Sequence, residues 1–592
     1  MSFQAFLDSS VLALRALLPI YAIIIVYQCF ASARRHRRPE KPLVTLEIKG
    51  TGQMIPVLFW ENSIGRSKGS DIVVADMSVS RDHCVLLRRP EGWMVNDIGS
   101  KSGTLVNGRL AKGRTRVNLD DEITVGSTTL ILKRGAEYQE KLRHSWFFSK
   151  ASDKGSLQPY KLMILITFFH LFMAVEACFS GEKQDVVPLM FFVGIAGVSW
   201  LFFYLSSYIF NRVNFELEAL GSFLSGIGVQ LLVRQEIRSA IVQLIAMAAG
   251  MVLFAVLVKL FENPDRVDRW RLAVMIGATV ILAVNLALGK VTYGANNWLS
   301  IGGVSFQPSE FVKIAFIFVG AAALDQLQTI RNFIYFTVFS AVCVIALAAM
   351  GDFGTALIYF CAFLLVASMR SGDFRTVALA IVLPIVLAIS AVILIVGLSS
   401  NVDRFAHIGE RFSAWGHVWE NTQGVAFQQA RTLTYIASGG LIGVGVGNGC
   451  LKFIGASESD LVFGLVSEEM GVILAFTIAF AIVGLVLYAR AITTRSRSTF
   501  YSISASCAAG LMLIQCALNI FGSTDILPLT GVTLPFISAG GSSMMACWGL
   551  LAFIKAADER TYAAKRRLPA APAAKQKNRA ASSTGERRGE RA

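Results

Sequence analysis

The sequence predicts a polytopic α-helical membrane protein of about thirteen spans, with one all-β sandwich near its N-terminus. Three observations lead there. Of the 592 residues, 54% are hydrophobic and 16% charged, against about 25% charge in an ordinary soluble chain. Apolar runs recur along most of the chain, many near the ~20 residues that cross a hydrocarbon core of roughly 30 Å. Between the first run and the rest lies a polar stretch of short alternating segments split by turn residues, the pattern of packed strands. The composition excludes a disordered chain, a collagen-like fibre and a purely soluble enzyme. The 9 cysteines show no CxxC spacing and indicate neither a zinc site nor a disulfide framework.

Residues 1–42 hold the first span and its flank. VLALRALLPIYAIIIVYQCF at 11–30 is followed by Arg34, Arg35, Arg37 and Arg38. A cleavable leader carries its charge before the apolar run, so this reads as a retained anchor, its basic flank cytoplasmic and its N-terminus outside. Residues 43–135 read as strands: VTLEI at 44–48, PVLFW at 56–60, DIVV at 71–74, CVLLR at 84–88, WMVN at 93–96, TLVN at 104–107, EITV at 122–125 and TLIL at 129–132. Short strands at this spacing predict a sandwich. Residues 136–214 give a linker and two spans, 160–179 and 187–210. Ten spans follow within 215–556, near 215–233, 239–261, 270–290, 309–325, 332–350, 354–369, 376–398, 461–489, 502–521 and 538–556.

Charge supports the alternation. Arg266, Arg269, Arg271, Arg370, Arg375, Arg490, Arg495 and Arg497 fall in loops assigned to the cytoplasm, as the positive-inside rule requires. The loop 399–460 mixes acids with Arg404, Arg411, Arg431 and Lys452 and falls outside. The basic tail 557–592 is expected to be disordered and cytoplasmic. Topology thus accounts for the formal charge of +15, and no nucleic-acid partner is expected.

The polar stretch carries Gly65-Arg66, then Val79-Ser80-Arg81-Asp82-His83, then Gly99-Ser100-Lys101-Ser102-Gly103-Thr104-Leu105-Val106-Asn107-Gly108. A phosphate is held by a guanidinium fork and a hydroxyl on loops of a rigid scaffold. This module resembles a forkhead-associated (FHA) domain, a β-sandwich that reads phosphothreonine. The resemblance implies that Arg66 and Ser80 contact the phosphate, that Arg81 adds charge and that His83 supports the loop. Asn107 matches the second of two family asparagines. The family's Asn-Gly-Thr appears here as Ser102-Gly103-Thr104. The alternative is a scaffold sandwich that binds no phosphate.

Four polar islands interrupt the membrane pattern, all assigned outside. Such groups usually mark function. The first is Gly294-Ala295-Asn296-Asn297-Trp298, followed by Gln307-Pro308-Ser309-Glu310-Phe311-Val312-Lys313. Pro308 suits a helix start, and Glu310 and Lys313 share a face, either as a site or as a structural ion pair. The second is Gly351-Asp352-Phe353-Gly354-Thr355, a site or simply a turn. The third runs from Ser438 through a glycine-rich stretch, Lys452 and Ser457-Glu458-Ser459-Asp460 to Glu468-Glu469. Its GxGxG lacks the strand-turn-helix context of a dinucleotide site. The fourth is 519–543, where two prolines and a Gly-Gly-Ser-Ser run break the helix, which membranes tolerate only against protein or a wet cavity.

Together, in order and spacing, the islands resemble the SEDS family (FtsW, RodA, SpoVE), over about 215–556. The resemblance implies a ten-span core that polymerises the lipid-linked precursor lipid II into peptidoglycan strands, with a class B penicillin-binding protein as partner. It implies Asp460 as the essential outer-loop acid. It also implies substrate-binding roles for Trp298, Glu310, Lys313, Asp352, Glu468, Ser538 and Ser542. Departures include Ala456-Ser457-Glu458-Ser459-Asp460 in place of Pro-Glu-x-x-Thr-Asp, and Arg431-Thr432 in place of Gln-Ser. The chemistry needs a carboxylate base, for which Asp460 is the candidate. It also needs cations for a leaving pyrophosphate, for which Arg404, Arg411, Arg431, Lys452 and Lys313 are available. A divalent cation, magnesium or manganese, could assist through oxygen ligands, although no ligand set is evident. The FHA head implies a threonine-phosphorylated cytoplasmic partner. Competing readings are a flippase for the lipid-linked precursor and a signalling scaffold on an inactive core.

Overall fold

The computed structural model describes residues 3–35, 44–57, 61–67, 70–89, 92–134, 159–180, 185–210, 214–262, 264–292, 295–301, 304–325, 330–371, 411, 413–493 and 499–558. The expected span 376–398, Arg404 and the basic tail lie outside the described residues.

Alternating Val, Leu and Ile turn one face of each strand inward and close the sandwich. Its strands are β1 (Val44–Ile48), β2 (Met54–Val57), β3 (Glu61–Gly65), β4 (Ile72–Val73), β5 (Cys84–Arg89), β6 (Gly92–Asp97), β7 (Thr104–Val106), β8 (Arg109–Leu110), β9 (Arg114–Val117), β10 (Glu122–Val125) and β11 (Thr128–Arg134). One sheet runs β2-β1-β11-β10-β7-β8 and the other β4-β3-β5-β6-β9. Leu46, Ile64, Leu86, Val95, Ile123, Leu130 and Leu132 form the shared core, each contributing about 1.5–3 kcal/mol by burial. β3, β8 and β9 were not among the expected strands. Polar residues such as those of Arg-Thr-Arg-Val on the edge strand β9 leave too little apolar alternation to read.

The helical part begins with α1 (Phe3–Arg35) and resumes after the sandwich with α2 (Pro159–Phe179) and α3 (Val187–Phe210). α4 (Glu216–Val233), α5 (Ile237–Leu260), α6 (Pro264–Leu288), α7 (Pro308–Asp325), α8 (Ile330–Ala349) and α9 (Phe353–Ser371) follow. After the long loop come α10 (Phe427–Gly439), α11 (Val462–Met470), α12 (Val472–Thr493), α13 (Thr499–Ser523) and α14 (Gly541–Ala557). Among the described residues, 9 helices are long and apolar enough to cross a membrane, and Phe353–Met369 and Gly541–Ala557 are shorter apolar helices. α7 carries Glu310, Lys313 and Asp325. These twelve helices coincide with twelve of the thirteen expected spans, so the chain is a multi-pass membrane protein.

α4 is the axis: every residue from Glu216 to Val233 is buried. Small residues let neighbours close in, as membrane packing requires. A Cβ at Gly221 would lie 2.9 Å from the Trp548 ring, and one at Gly226 would collide with the His170 ring of α2. The two extra spans therefore help to enclose the axis. Two departures matter for the site. The span expected at 461–489 is broken at Gly471, whose φ is +87° and where a side chain would collide with the Leu441 carbonyl. Between α6 and α7 the first island folds into a three-stranded sheet, β12 (Lys290–Thr292), β13 (Ala295–Ile301) and β14 (Val304–Phe306).

Candidate functional site

The four polar islands meet at one end of the bundle. Asp460 lies in the loop entering α11, its N–H donating to the Ala456 carbonyl at 3.0 Å. Asn519, near the end of α13, holds the adjoining backbone. Its Nδ2 donates to the carbonyls of Val532 at 2.8 Å, Asp460 at 3.0 Å and Ser459 at 3.4 Å. Ser538 Oγ donates to the Ser459 carbonyl at 2.6 Å and accepts from Leu534 N–H at 2.8 Å. The Ala539 N–H donates to the Glu458 carbonyl at 2.8 Å. The loop bearing the acid is thus fixed through its backbone, and its carboxylate is left half-buried.

That carboxylate faces Gly531. A Cβ built there would begin 3.4 Å from Asp460 Oδ2 and 3.7 Å from Arg411 Nη1. Among the described loop cations of the sequence reading, Arg411 is the one set beside Asp460. Burial pushes the Asp460 carboxyl above its ordinary range. A hydrogen bond from Ser459 and the Arg411 charge oppose this, and the charge of Asp352 adds to it.

Asp352 caps α9, its Oδ1 accepting from Thr355 N–H at 3.0 Å. Its Oδ2 accepts from Asn297 Nδ2 at 2.7 Å and Gln307 Nε2 at 3.0 Å. This joins β13, the start of α7 and α9. Trp298, beside Asn297 on β13, is half-buried. Ser542 Oγ accepts from Gln307 N–H at 3.3 Å, and Ser543 pairs with Thr533 at 2.8 Å.

Several expected ligand contacts are committed elsewhere. Glu310 and Lys313 are almost fully buried and pair with each other at 2.7 Å, which is the structural alternative for that motif. Ser538 and Ser542 hold backbone, as above. Glu468 accepts from Cys450 N–H at 2.7 Å and Leu451 N–H at 2.9 Å. Lys452 donates to the Gly447 carbonyl and lies over the Phe453 ring. Both tie down the glycine-rich segment. Arg431 sits 5.5 Å over the Phe427 ring of its own helix. Asn519 and Gln307 went unassigned in the sequence reading. A polar side chain at the end of an apolar run was the signal available for Asn519.

In the sandwich, the motif residues converge on two loops. Arg66 N–H donates to the Ser80 carbonyl at 3.0 Å. Its guanidinium is half-buried and donates to Met77 Sδ at 3.0 Å. Ser80 Oγ accepts from Lys101 N–H at 3.1 Å. His83 is fully buried and bridges the loops, Nδ1 accepting from Ser80 N–H at 3.1 Å while Nε2 faces the Gly103 carbonyl at 3.2 Å. Arg81 and Ser102 are exposed beside them. Asn107 lies in the turn between β7 and β8. Its amide bonds Asp121 and Glu122 at 2.9 Å, so it locks the β7–β8 turn to β10. Asp97, unassigned in the sequence reading, accepts from Gly99 and Ser100 N–H and from the Ser100 and Thr104 hydroxyls at 2.6–2.9 Å. Burial raises its pKa, but these four bonds outweigh it and hold the carboxyl below its ordinary value.

Comparison with known proteins agrees with both halves. The FtsW/RodA/SpoVE family model, described as cell cycle protein, matches residues 220–563, and the FHA domain model matches residues 62–126. The chain is 28% identical over 345 residues to the probable peptidoglycan glycosyltransferase FtsW of Bacillus subtilis (strain 168), covering 56% of this chain and 84% of that one. It is 28% identical over 373 residues to the protein of the same description from Saccharophagus degradans, covering 58% and 92%. A solved structure described as a peptidoglycan synthase complex coordinating polymerization and crosslinking is 19% identical, covering 60% of this chain and 99% of that one at a TM-score of 0.48. With the family model spanning more than half of its length, the chain belongs to the FtsW/RodA/SpoVE family, and it carries an FHA domain ahead of the family core.

Proposed function

We propose that this protein is a peptidoglycan glycosyltransferase that polymerises lipid II at the outer face of the cytoplasmic membrane. The observation that carries the proposal is the Asp460 carboxylate and the Arg411 guanidinium brought together at Gly531, on a loop fixed by Asn519 and Ser538. Family membership and relatives named as peptidoglycan glycosyltransferases support it.

The acceptor hydroxyl attacks the anomeric carbon of the donor sugar, and its proton passes to Asp460. The bond from that carbon to the lipid pyrophosphate breaks, and the pyrophosphate leaves with the electron pair. Raised basicity suits Asp460 as the base, and Arg411 sits where it can meet the developing negative charge. A divalent cation would take oxygen ligands, of which the Asp460 carboxylate is the candidate. Magnesium or manganese bound there would offset pyrophosphate charge. Among the described residues no group of three or more His, Cys, Asp or Glu forms a metal cluster.

The basic loops support an orientation with the sandwich and tail in the cytoplasm and the Asp460 end outside. In that orientation a class B penicillin-binding protein is the expected transpeptidase partner. The FHA domain takes a threonine-phosphorylated cytoplasmic protein, with Arg66 and Ser80 holding the phosphate and Arg81 adding charge beside it. The test is polymerisation of purified lipid II by the full chain with and without divalent cations. Glycan strands from wild type and none from Asp460→Asn are expected; strands from Asp460→Asn at the wild-type rate would sink Asp460 as the base, and no strands from wild type would sink the polymerase reading.

A further inference from the structure

Two side chains outside the family core reach into it. Arg15 of α1 and Glu176 of α2 lie within residues 1–215, ahead of the family match at 220–563. Arg15 Nε pairs with Glu176 Oε1 at 3.2 Å, where the carboxylate is 1% exposed. Arg15 Nη1 donates to the Gly443 carbonyl at 3.3 Å, and Glu176 Oε2 accepts from Val446 N–H at 3.3 Å. Ser180 Oγ steadies Glu176 at 2.7 Å. The pair closes on Gly445, whose φ is +107°. A Cβ there would collide with the Arg15 guanidinium and come within 2.9 Å of Glu176 Oε1.

The gripped segment is built into the helix that follows Asp460. Val444 and Gly445 N–H donate to the carbonyls of Glu468 and Glu469 at 2.9 Å. Gly447 N–H donates to the Glu469 carboxylate at 3.0 Å, and Cys450 and Leu451 donate to the Glu468 carboxylate. These acids close α11, which starts two residues after Asp460. A planar guanidinium fork can hold a carboxylate and a carbonyl at once, which an ammonium on a flexible stem does less well.

We propose that Arg15 and Glu176 are positioning residues for glycosyl transfer. By clamping 443–447 they set α11, and so the Asp460 carboxylate, in its working geometry. This rests on the polymerase reading above. Displacing a catalytic group by about 1 Å can cost on the order of 100-fold in rate.

The full chain in lipid nanodiscs, with lipid II as substrate, tests this. Rates are expressed per monodisperse protein, alongside melting temperature. Arg15→Met is expected to lower kcat about 10- to 100-fold with KM changed less than about twofold. Arg15→Lys keeps the charge and is expected to recover the melting temperature but only part of kcat. A wild-type kcat in Arg15→Met overturns the proposal. So does an Arg15→Lys variant whose kcat returns fully together with its melting temperature. If Arg15→Met yields no folded protein, Arg15→Lys decides alone. A lowered kcat at unchanged melting temperature then supports the clamp, and a wild-type kcat overturns it. Asp460→Asn in the same series separates the two failures. If that variant is inactive while Arg15→Met is normal, the clamp alone falls. If it is active, Asp460 is not the base, and if wild type forms no glycan strands, the polymerase reading falls.

Discussion

Asp460 was legible in the sequence because an acid just before an apolar run is conspicuous. Its neighbours were less so. Arg411 was one of four loop cations with nothing to rank them, since the ranking comes from the turn around Gly531, far from it in the sequence. Raised basicity gives a pH signature. A base must be ionised to act, so activity should fall as pH drops through the Asp460 value, which lies above the ordinary ~3.9 of an aspartate. A pH–rate profile whose acid limb is absent above pH 4 would contradict this. Asp97 has the opposite sign. Its folded pKa is lowered, so its contribution to sandwich stability is complete above about pH 4 and fades as pH falls through the folded value. Asp97→Ala should therefore speed amide exchange at Gly99 and Ser100 at neutral pH by about tenfold, as expected for ~1.4 kcal/mol.

At the scale of elements, helix positions could be read from apolar length, but their interruptions could not. α11 and α12 share one apolar run, and only the passage of Leu441 past Gly471 explains the break. Gly471→Ala adds a Cβ to a left-handed backbone and a filled space, so folded yield should collapse in a gel-filtration assay. The Glu310–Lys313 pair in α7 makes a separate prediction. Removing one partner of a buried pair leaves an uncompensated charge and costs about 3–5 kcal/mol, whereas replacing both costs far less. Lys313→Met should thus melt well below wild type, and Glu310→Gln with Lys313→Met should recover much of the difference. Equal melting of the single and double variants would show that the pair does not act as a unit. Motif order pointed to these residues but could not distinguish a ligand contact from an internal ion pair, because that depends on burial.

At the scale of the whole molecule, the helical core and the sandwich were recognisable separately, whereas the packing of α1 and α2 against that core was not. Nothing in an apolar run says what it will lie against. A chain shortened to residues 214–592 keeps all of the family match, yet it loses the Gly445 clamp and the cover over α4. Its turnover of lipid II should fall at least as far as that of Arg15→Met, and a fully active shortened chain would argue against both roles. α4 has a further consequence. A span with no lipid-facing residue gains nothing from the bilayer itself, so its place is secured by what is laid down around it. α1, α2 and α3 precede it in the chain, and the ribosome delivers the wrapping before the thing wrapped. Glu218 meets Lys555 only when the last helix arrives, so the bundle is latched by the end of synthesis and not before.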